Sequence, residues 1–267
     1  MISIGPLALS TTVAVGFLSA IFMFVLAAYL DKRYQLDLER RLWWMVLAAL
    51  VVGRAVFVAQ YWHDYKYNLW GVVGIQDGGF HLVAALSVLF IALIYQAYKH
   101  KPQRRAMAQL VGFSLVFSVL TASLAAHFFP APQQINTSEL ALTQLQGQLV
   151  SLAEFSDKPM VLNLWASWCP PCRAEMPVMA EAQKQNPDLH FVFVNQGESV
   201  QVIEQFLQSQ NLELEHVLSD ISSTLLHSIQ GRALPTTLFI TTQGHVVDVR
   251  MGELSQASLA AYLKRLR

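Results

Sequence analysis

The chain is 267 residues long, 54% hydrophobic and only 13% charged, with a formal net charge of zero, a pI near 7.1 and a mean hydropathy of +0.38. That balance is too apolar for one soluble domain, and without a basic excess the chain lacks the electrostatic footprint of a nucleic-acid-binding protein, so no nucleic-acid partner is expected. The apolar excess lies in residues 1–130, whereas 131–267 read as mixed globular sequence, so two domains are expected on either side of the uncharged, proline-containing FFPAPQQINTS.

Four apolar blocks, at about residues 6–30, 42–61, 80–98 and 107–129, predict an N-terminal four-helix transmembrane bundle. Each approaches the roughly 20 residues that a helix needs to cross about 30 Å of hydrocarbon. No Lys or Arg precedes the first block, and its apolar run exceeds the ~7–15 residues of a cleavable signal, so it is expected to stay in the lipid bilayer. Cations cluster in two connections: Lys32, Arg33, Arg40 and Arg41 after the first block, and Lys99, Lys101, Arg104 and Arg105 after the third. The connection at 62–79 holds only Lys66. The bias of Lys and Arg toward the cytoplasm then places the N-terminus, the 62–79 loop and everything beyond 130 on the opposite side. The expected location is a bacterial inner membrane, crossed several times, with the second domain in the periplasm.

Arg54 falls within the second block, where a charge costs at least ~2.5–3.5 kcal/mol at the bilayer centre and by default marks function. Two readings stay open. Arg54, with His81, holds a lipid headgroup; or Arg54 snorkels to the outer loop and pairs with Asp64 or Asp77. Tyr61, Trp62, Tyr65, Tyr67 and Trp70 are expected to form an interfacial belt.

The second region alternates strand patterns at 160–165, 189–194, 237–240 and 245–249 with helical spacing at 174–185, 200–208, 222–229 and 256–266. This predicts an α/β domain, a mixed central sheet flanked by helices. Gly244 marks a turn between the last two strands. The chain's only cysteines stand in VLNLWASWCPPCRAEMP at Cys169 and Cys172. Pro170 and Pro171 suit a first helical turn, because the N–H they lack would be orphaned there. Cys169 is therefore expected at a helix N-terminus, where exposed amides stabilise a thiolate and make it nucleophilic. Cys172, one turn on, is within reach to close a redox disulfide. A purely structural disulfide across so short a loop would constrain the unfolded chain little, though a non-enzymatic anchor carrying one remains an alternative. No metal is expected, since His190, His216, His227 and His245 supply no second ligand pair at zinc spacing. No cofactor is expected either.

From about 136 to 267 the chain resembles the TlpA-like branch of the thioredoxin superfamily. The stretch GQLVSLAEFSDKPMVLNLWASWCPPCRAEMP, then ALPTTLFI and HVVDVRMGE, carries the resemblance. It implies a thioredoxin fold and a membrane-tethered thiol–disulfide oxidoreductase that reduces protein partners, as in cytochrome c maturation or disulfide repair. It implies further that Pro235 is a cis-proline, that Leu234 before it packs beside the disulfide and meets the substrate backbone, that Pro170 and Pro171 contact substrate, and that Trp168 flanks the nucleophile. Where many thioredoxins place a buried aspartate this chain has Asn163, which cannot titrate. Glu198 ranks ahead of Glu175 as its replacement, and both rank below an ordinary solvated acid. Residues 51–81 resemble the first half of prolipoprotein diacylglyceryl transferases, with a shorter interval from Gly78-Gly79 to His81 and without that family's later Gly-Arg-x-Gly-Asn-Phe. The alternative it implies is a lipid-modifying or lipid-binding protein with a regulatory redox domain. Because residues 1–168 contain no cysteine, a separate membrane redox partner of the DsbD or DsbB kind is expected to recharge the disulfide.

Overall fold

Proline-free runs of Leu, Val, Ala and Phe form the four long helices of the first unit: α1 (Thr11–Tyr34), α2 (Leu38–Gln60), α5 (Leu82–Lys99) and α6 (Arg104–Phe128). Each contains a window long and apolar enough to cross a membrane. Two short helices, α3 (Trp62–Tyr65) and α4 (Leu69–Val73), lie in the connection between α2 and α5, and two three-residue strands, β1 (Ile2–Ile4) and β2 (Leu7–Leu9), pair with each other before α1. The computed structural model describes residues 2–4, 7–9, 11–34, 37–65, 69–74, 78–100, 103–128, 141–229, 231 and 233–267. Beyond the first few residues the chain divides into two units that meet between Pro130 and Ala131.

The helices begin and end within a few residues of the four apolar blocks, except that α1 starts at Thr11 and runs on through Lys32 and Arg33 to Tyr34. Ala27, Leu30, Leu38, Leu42, Ala106, Met107 and Leu110 pack α1, α2 and α6 together. At that same end Asp31 accepts from the Leu38 and Glu39 amides at 2.7 and 2.8 Å, capping α2. The Arg41 guanidinium donates to Gln96 at 3.1 Å and to Gln103 at 3.0 Å. Both cation-rich connections thus gather at one end of the bundle.

The second unit is built on a seven-stranded sheet of order β4-β3-β7-β6-β5-β8-β9, its strands being β3 (Ala141–Gln144), β4 (Leu149–Ser151), β5 (Met160–Trp165), β6 (His190–Gln196), β7 (Val217–Asp220), β8 (Thr236–Ile240) and β9 (Val246–Met251). β5, β6 and β7 run parallel, and the strands on either side of them are antiparallel. β5 is buried along its whole length, as expected of a central strand covered on both faces. Val161 and Trp165 face one side with α7 (Pro170–Gln185), α8 (Val200–Ser209) and α10 (Gln256–Leu266). Met160, Leu162 and Leu164 face the other, under a 3-10 turn at Leu152–Phe155 and α9 (Thr224–Ser228). This is a thioredoxin-like domain, and Gly244, at φ 78°, makes the turn between β8 and β9.

Candidate active site

The parallel strand β5 ends at Trp165, and the chain turns over Ala166–Trp168 into α7. Cys169 caps that helix: its Sγ accepts from the Cys172 amide at 3.3 Å, and Pro170 and Pro171 fill the first two helical positions. Cys169 and Cys172 are joined as a disulfide, with Cα atoms 5.3 Å apart. Cys169 is 3% exposed and Cys172 is fully buried among Trp165, Met176 and Met179. Trp168, by contrast, is 68% exposed. It projects from the turn rather than capping the core, so the half-buried position that its type suggests is not the one it takes. Pro170 is exposed beside it and Pro171 is half-buried.

The β5–β8 register pairs Leu164 with Thr236, which brings Pro235 to the end of β5 where the chain enters the cysteine turn. The Leu234–Pro235 peptide is cis. Pro235 accepts from the Gly252 amide at 2.9 Å, and Leu234 packs half-buried against the core that holds both cysteines.

Two carboxylates serve this turn differently. Glu198, just past β6, accepts from the Ser167 amide at 2.7 Å, from the Ser167 hydroxyl, and from Asn195 Nδ2 at 2.6 Å. The two Ser167 donors lie in the turn leading into Cys169 and Asn195 lies on β6, so Glu198 clamps the turn to the end of β6. Glu175 lies one helical turn beyond Cys172, on the same face of α7, and is fully buried. Its Oε1 accepts from Asn163 Nδ2 at 2.8 Å and its Oε2 from the Leu254 amide at 3.0 Å. Burial pushes its carboxyl up to about 7, against the two hydrogen bonds that favour the charged form. Glu175, which the sequence ranks below Glu198, is thus the fully buried acid one helical turn from Cys172, and the Arg-x-Glu-x-Pro that follows Cys172 is its signal in the sequence.

Arg54 and His81 belong to the first unit. Arg54 is nearly buried and its guanidinium donates to the carbonyls of Gly71 at 2.6 Å, Val72 at 3.0 Å, Gly74 at 2.6 Å and Gly79 at 2.7 Å. The rings of Phe57, Tyr65 and Phe80 surround it. These donors are directed into the backbone of the connection between α2 and α5; Asp77, one of the partners expected for Arg54, lies outside the described residues. His81 caps α5, Nδ1 accepting from the Ala84 amide at 3.1 Å. Tyr65, buried against Arg54, is no part of an interfacial belt, while Trp62 is exposed; Tyr67 and the side chain of Trp70 fall outside the described residues.

The AhpC/TSA family model matches residues 133–249. The thiol-disulfide oxidoreductase ResA of Bacillus subtilis (strain 168) is 30% identical over 128 residues, covering 47% of this chain and 71% of that protein. ResA of Geobacillus thermodenitrificans is 28% identical over 175 residues, covering 62% of this chain and 99% of that protein. An alignment of that span has to reach back through α6. A solved structure of MTB DsbF aligns at TM-score 0.46 and 26% identity, over 49% of this chain and 97% of that one. These matches lend the diacylglyceryl transferase resemblance of residues 51–81 no support. Through its second half, the chain belongs to the thioredoxin-like thiol-disulfide oxidoreductases of the ResA type.

Proposed function

We propose that this enzyme is anchored in a bacterial inner membrane by its four long helices and exchanges disulfides with periplasmic proteins through Cys169 and Cys172, in the reducing direction. The observation that carries this reading is the buried disulfide at the N-terminus of α7 with the carboxyl of Glu175 one turn on. In the reduced domain the Cys169 thiolate attacks a disulfide sulfur of the substrate, and the other substrate sulfur leaves as a thiolate. The Cys172 thiol then passes its proton to Glu175 and attacks Cys169 Sγ. That closes the 169–172 disulfide and releases the substrate's second thiolate. Two electrons have passed to the substrate, and the domain is left in the oxidised form seen here.

Leu234, ahead of Pro235, offers backbone to an extended substrate strand, while the exposed Trp168 and Pro170, with Pro171, give that substrate its apolar contacts. The direction follows the TlpA-like resemblance, with cytochrome c maturation or disulfide repair as the setting. Orientation is supported by the gathering of Arg41, Gln96 and Gln103 at one end of the bundle, since it collects the cation-rich connections on a single side. A separate membrane partner, a reductant of the DsbD kind or an oxidant of the DsbB kind, restores the active form. The test is a trap in cells: Cys172→Ser is expected to accumulate mixed disulfides with partner proteins and Cys169→Ser to accumulate none. Equal trapping by both variants would overturn the assignment of attacking and resolving thiols.

A further inference from the structure

Asn163 stands where many thioredoxins bury an aspartate, and its surroundings are unusual for a residue that only fills space. It is 1% exposed at the centre of β5. One N–H of its amide donates to Glu175 Oε1 at 2.8 Å and the other to Thr237 Oγ1 at 3.0 Å. Thr237 is its cross-strand partner on β8 and is itself fully buried. The amide oxygen, Asn163 Oδ1, has no hydrogen-bond partner among the described residues. A buried acceptor left unpaired is a standing cost, and an apolar side chain of similar size would avoid it. What the asparagine alone provides is the pair of N–H donors, and both are in use.

The orientation of the amide is fixed by chemistry. A carboxylate oxygen and an amide oxygen repel as two acceptors, so the nitrogen faces the ionised Glu175, and the Thr237 hydroxyl oxygen accepts from the same nitrogen. We propose that Asn163 is a positioning residue for the thiol chemistry: its amide N–H favours the ionised form of Glu175 and fixes that carboxylate one helical turn from Cys172, and Thr237 accepts the second hydrogen bond of the same amide nitrogen. This rests on the reading of Glu175 as proton acceptor for Cys172. The other charged groups that bear on Glu175 are Arg250 of β9 and Glu253 in the turn that follows, one of each sign. The Leu254 amide holds the second carboxylate oxygen, so the two oxygens are held from different elements. Loss of the Asn163 donor leaves the burial penalty in place and removes one of the two hydrogen bonds that oppose it.

The test uses the full-length reduced protein in detergent and 5,5′-dithiobis(2-nitrobenzoate). Its first thionitrobenzoate release reports attack by Cys169. Its second reports Cys172 breaking the Cys169–thionitrobenzoate bond, closing the 169–172 disulfide and giving up its proton. In the native protein the second phase is expected to rise with pH around a midpoint near 7, and Glu175→Gln is expected to abolish that midpoint. Asn163→Leu should move it up by about one pH unit, with the first phase unchanged, and Thr237→Val should move it in the same direction by less. If Glu175→Gln keeps the native midpoint, the reading of Glu175 fails and the proposal falls with it. If Glu175→Gln loses the midpoint while folded Asn163→Leu keeps the native one, the proposal alone fails. Should Asn163→Leu not fold, an unmoved midpoint in Thr237→Val overturns it.

Discussion

A buried carboxyl whose proton affinity is raised makes folding depend on pH, and Glu175 sets the sign. Its ionisation in the native state is pushed from about 4.5 to about 7, so between those values the folded chain holds a proton that the unfolded chain has released. The stability that Glu175 contributes is therefore complete below about 4.5 and is lost as pH rises through about 7. Its full size is on the order of 3 kcal/mol. Glu175→Gln removes the titration, at the cost of one of the two accepting oxygens, so between pH 4.5 and pH 8 the thermal midpoint of the native protein should fall relative to that of the variant. Parallel curves at both values would mean that Glu175 ionises normally. The two cysteines stand out by their motif, while the cis Leu234–Pro235 peptide was legible only through the TlpA-like resemblance, since an X–Pro step by itself favours trans. The sequence ranks Glu198 ahead of Glu175, whereas Glu175 is the more deeply buried of the two, and burial is what a sequence shows least. Burial of one acid among many is decided by the helix face and by the loop at Leu254, 79 residues further along the chain.

At the scale of elements, the strands and helices visible in the sequence were those with long apolar periods. β5 and α10 have the predicted limits, Met160–Trp165 and Gln256–Leu266. The short β3, β4 and β7 were not foreseen, since three or four residues carry too little pattern and the pairing of β7 with β3 is long-range. In the connection between α2 and α5 the sequence shows aromatic residues and a nearby charge but not that Gly71, Val72, Gly74 and Gly79 accept from Arg54. Four carbonyls donated to by one guanidinium leave no isosteric substitute: lysine is a single point charge without the planar fork. Hydrogen bonds to charged groups are worth roughly 1.5–3 kcal/mol each, so Arg54→Lys should destabilise the first unit by at least about 3 kcal/mol and open residues 62–81 to protease in the detergent-purified protein. Gly79→Ala should produce the same exposure. A Cβ there would meet the Phe57 ring and lie 2.8 Å from Arg54 Nη1. Protection equal to the native protein in both variants would show that this arginine does not organise the loop. Neither outcome depends on lipid headgroup, which separates the structural role from a lipid site.

Over the whole molecule, the decisive feature is where sulfur is. Residues 1–168 have no cysteine, and Cys169 and Cys172 are the only thiols in the chain. Thiol exchange passes electrons only by attack of a thiolate on a disulfide sulfur, so the four long helices cannot relay electrons by this chemistry, and the domain carries one electron pair per cycle. The four helices are long and apolar enough to cross a membrane, with both cation-rich connections at one end. The most direct measurement uses purified full-length protein in liposomes, sorted for molecules whose second domain faces outward, with thiol state read by alkylation of Cys169 and Cys172. Reductant sealed inside should leave the disulfide oxidised. The same reductant added outside should reduce it, and after its removal each molecule should reduce one disulfide of an added protein. Reduction by the enclosed reductant, or transfer of more than one electron pair per molecule, would contradict the account.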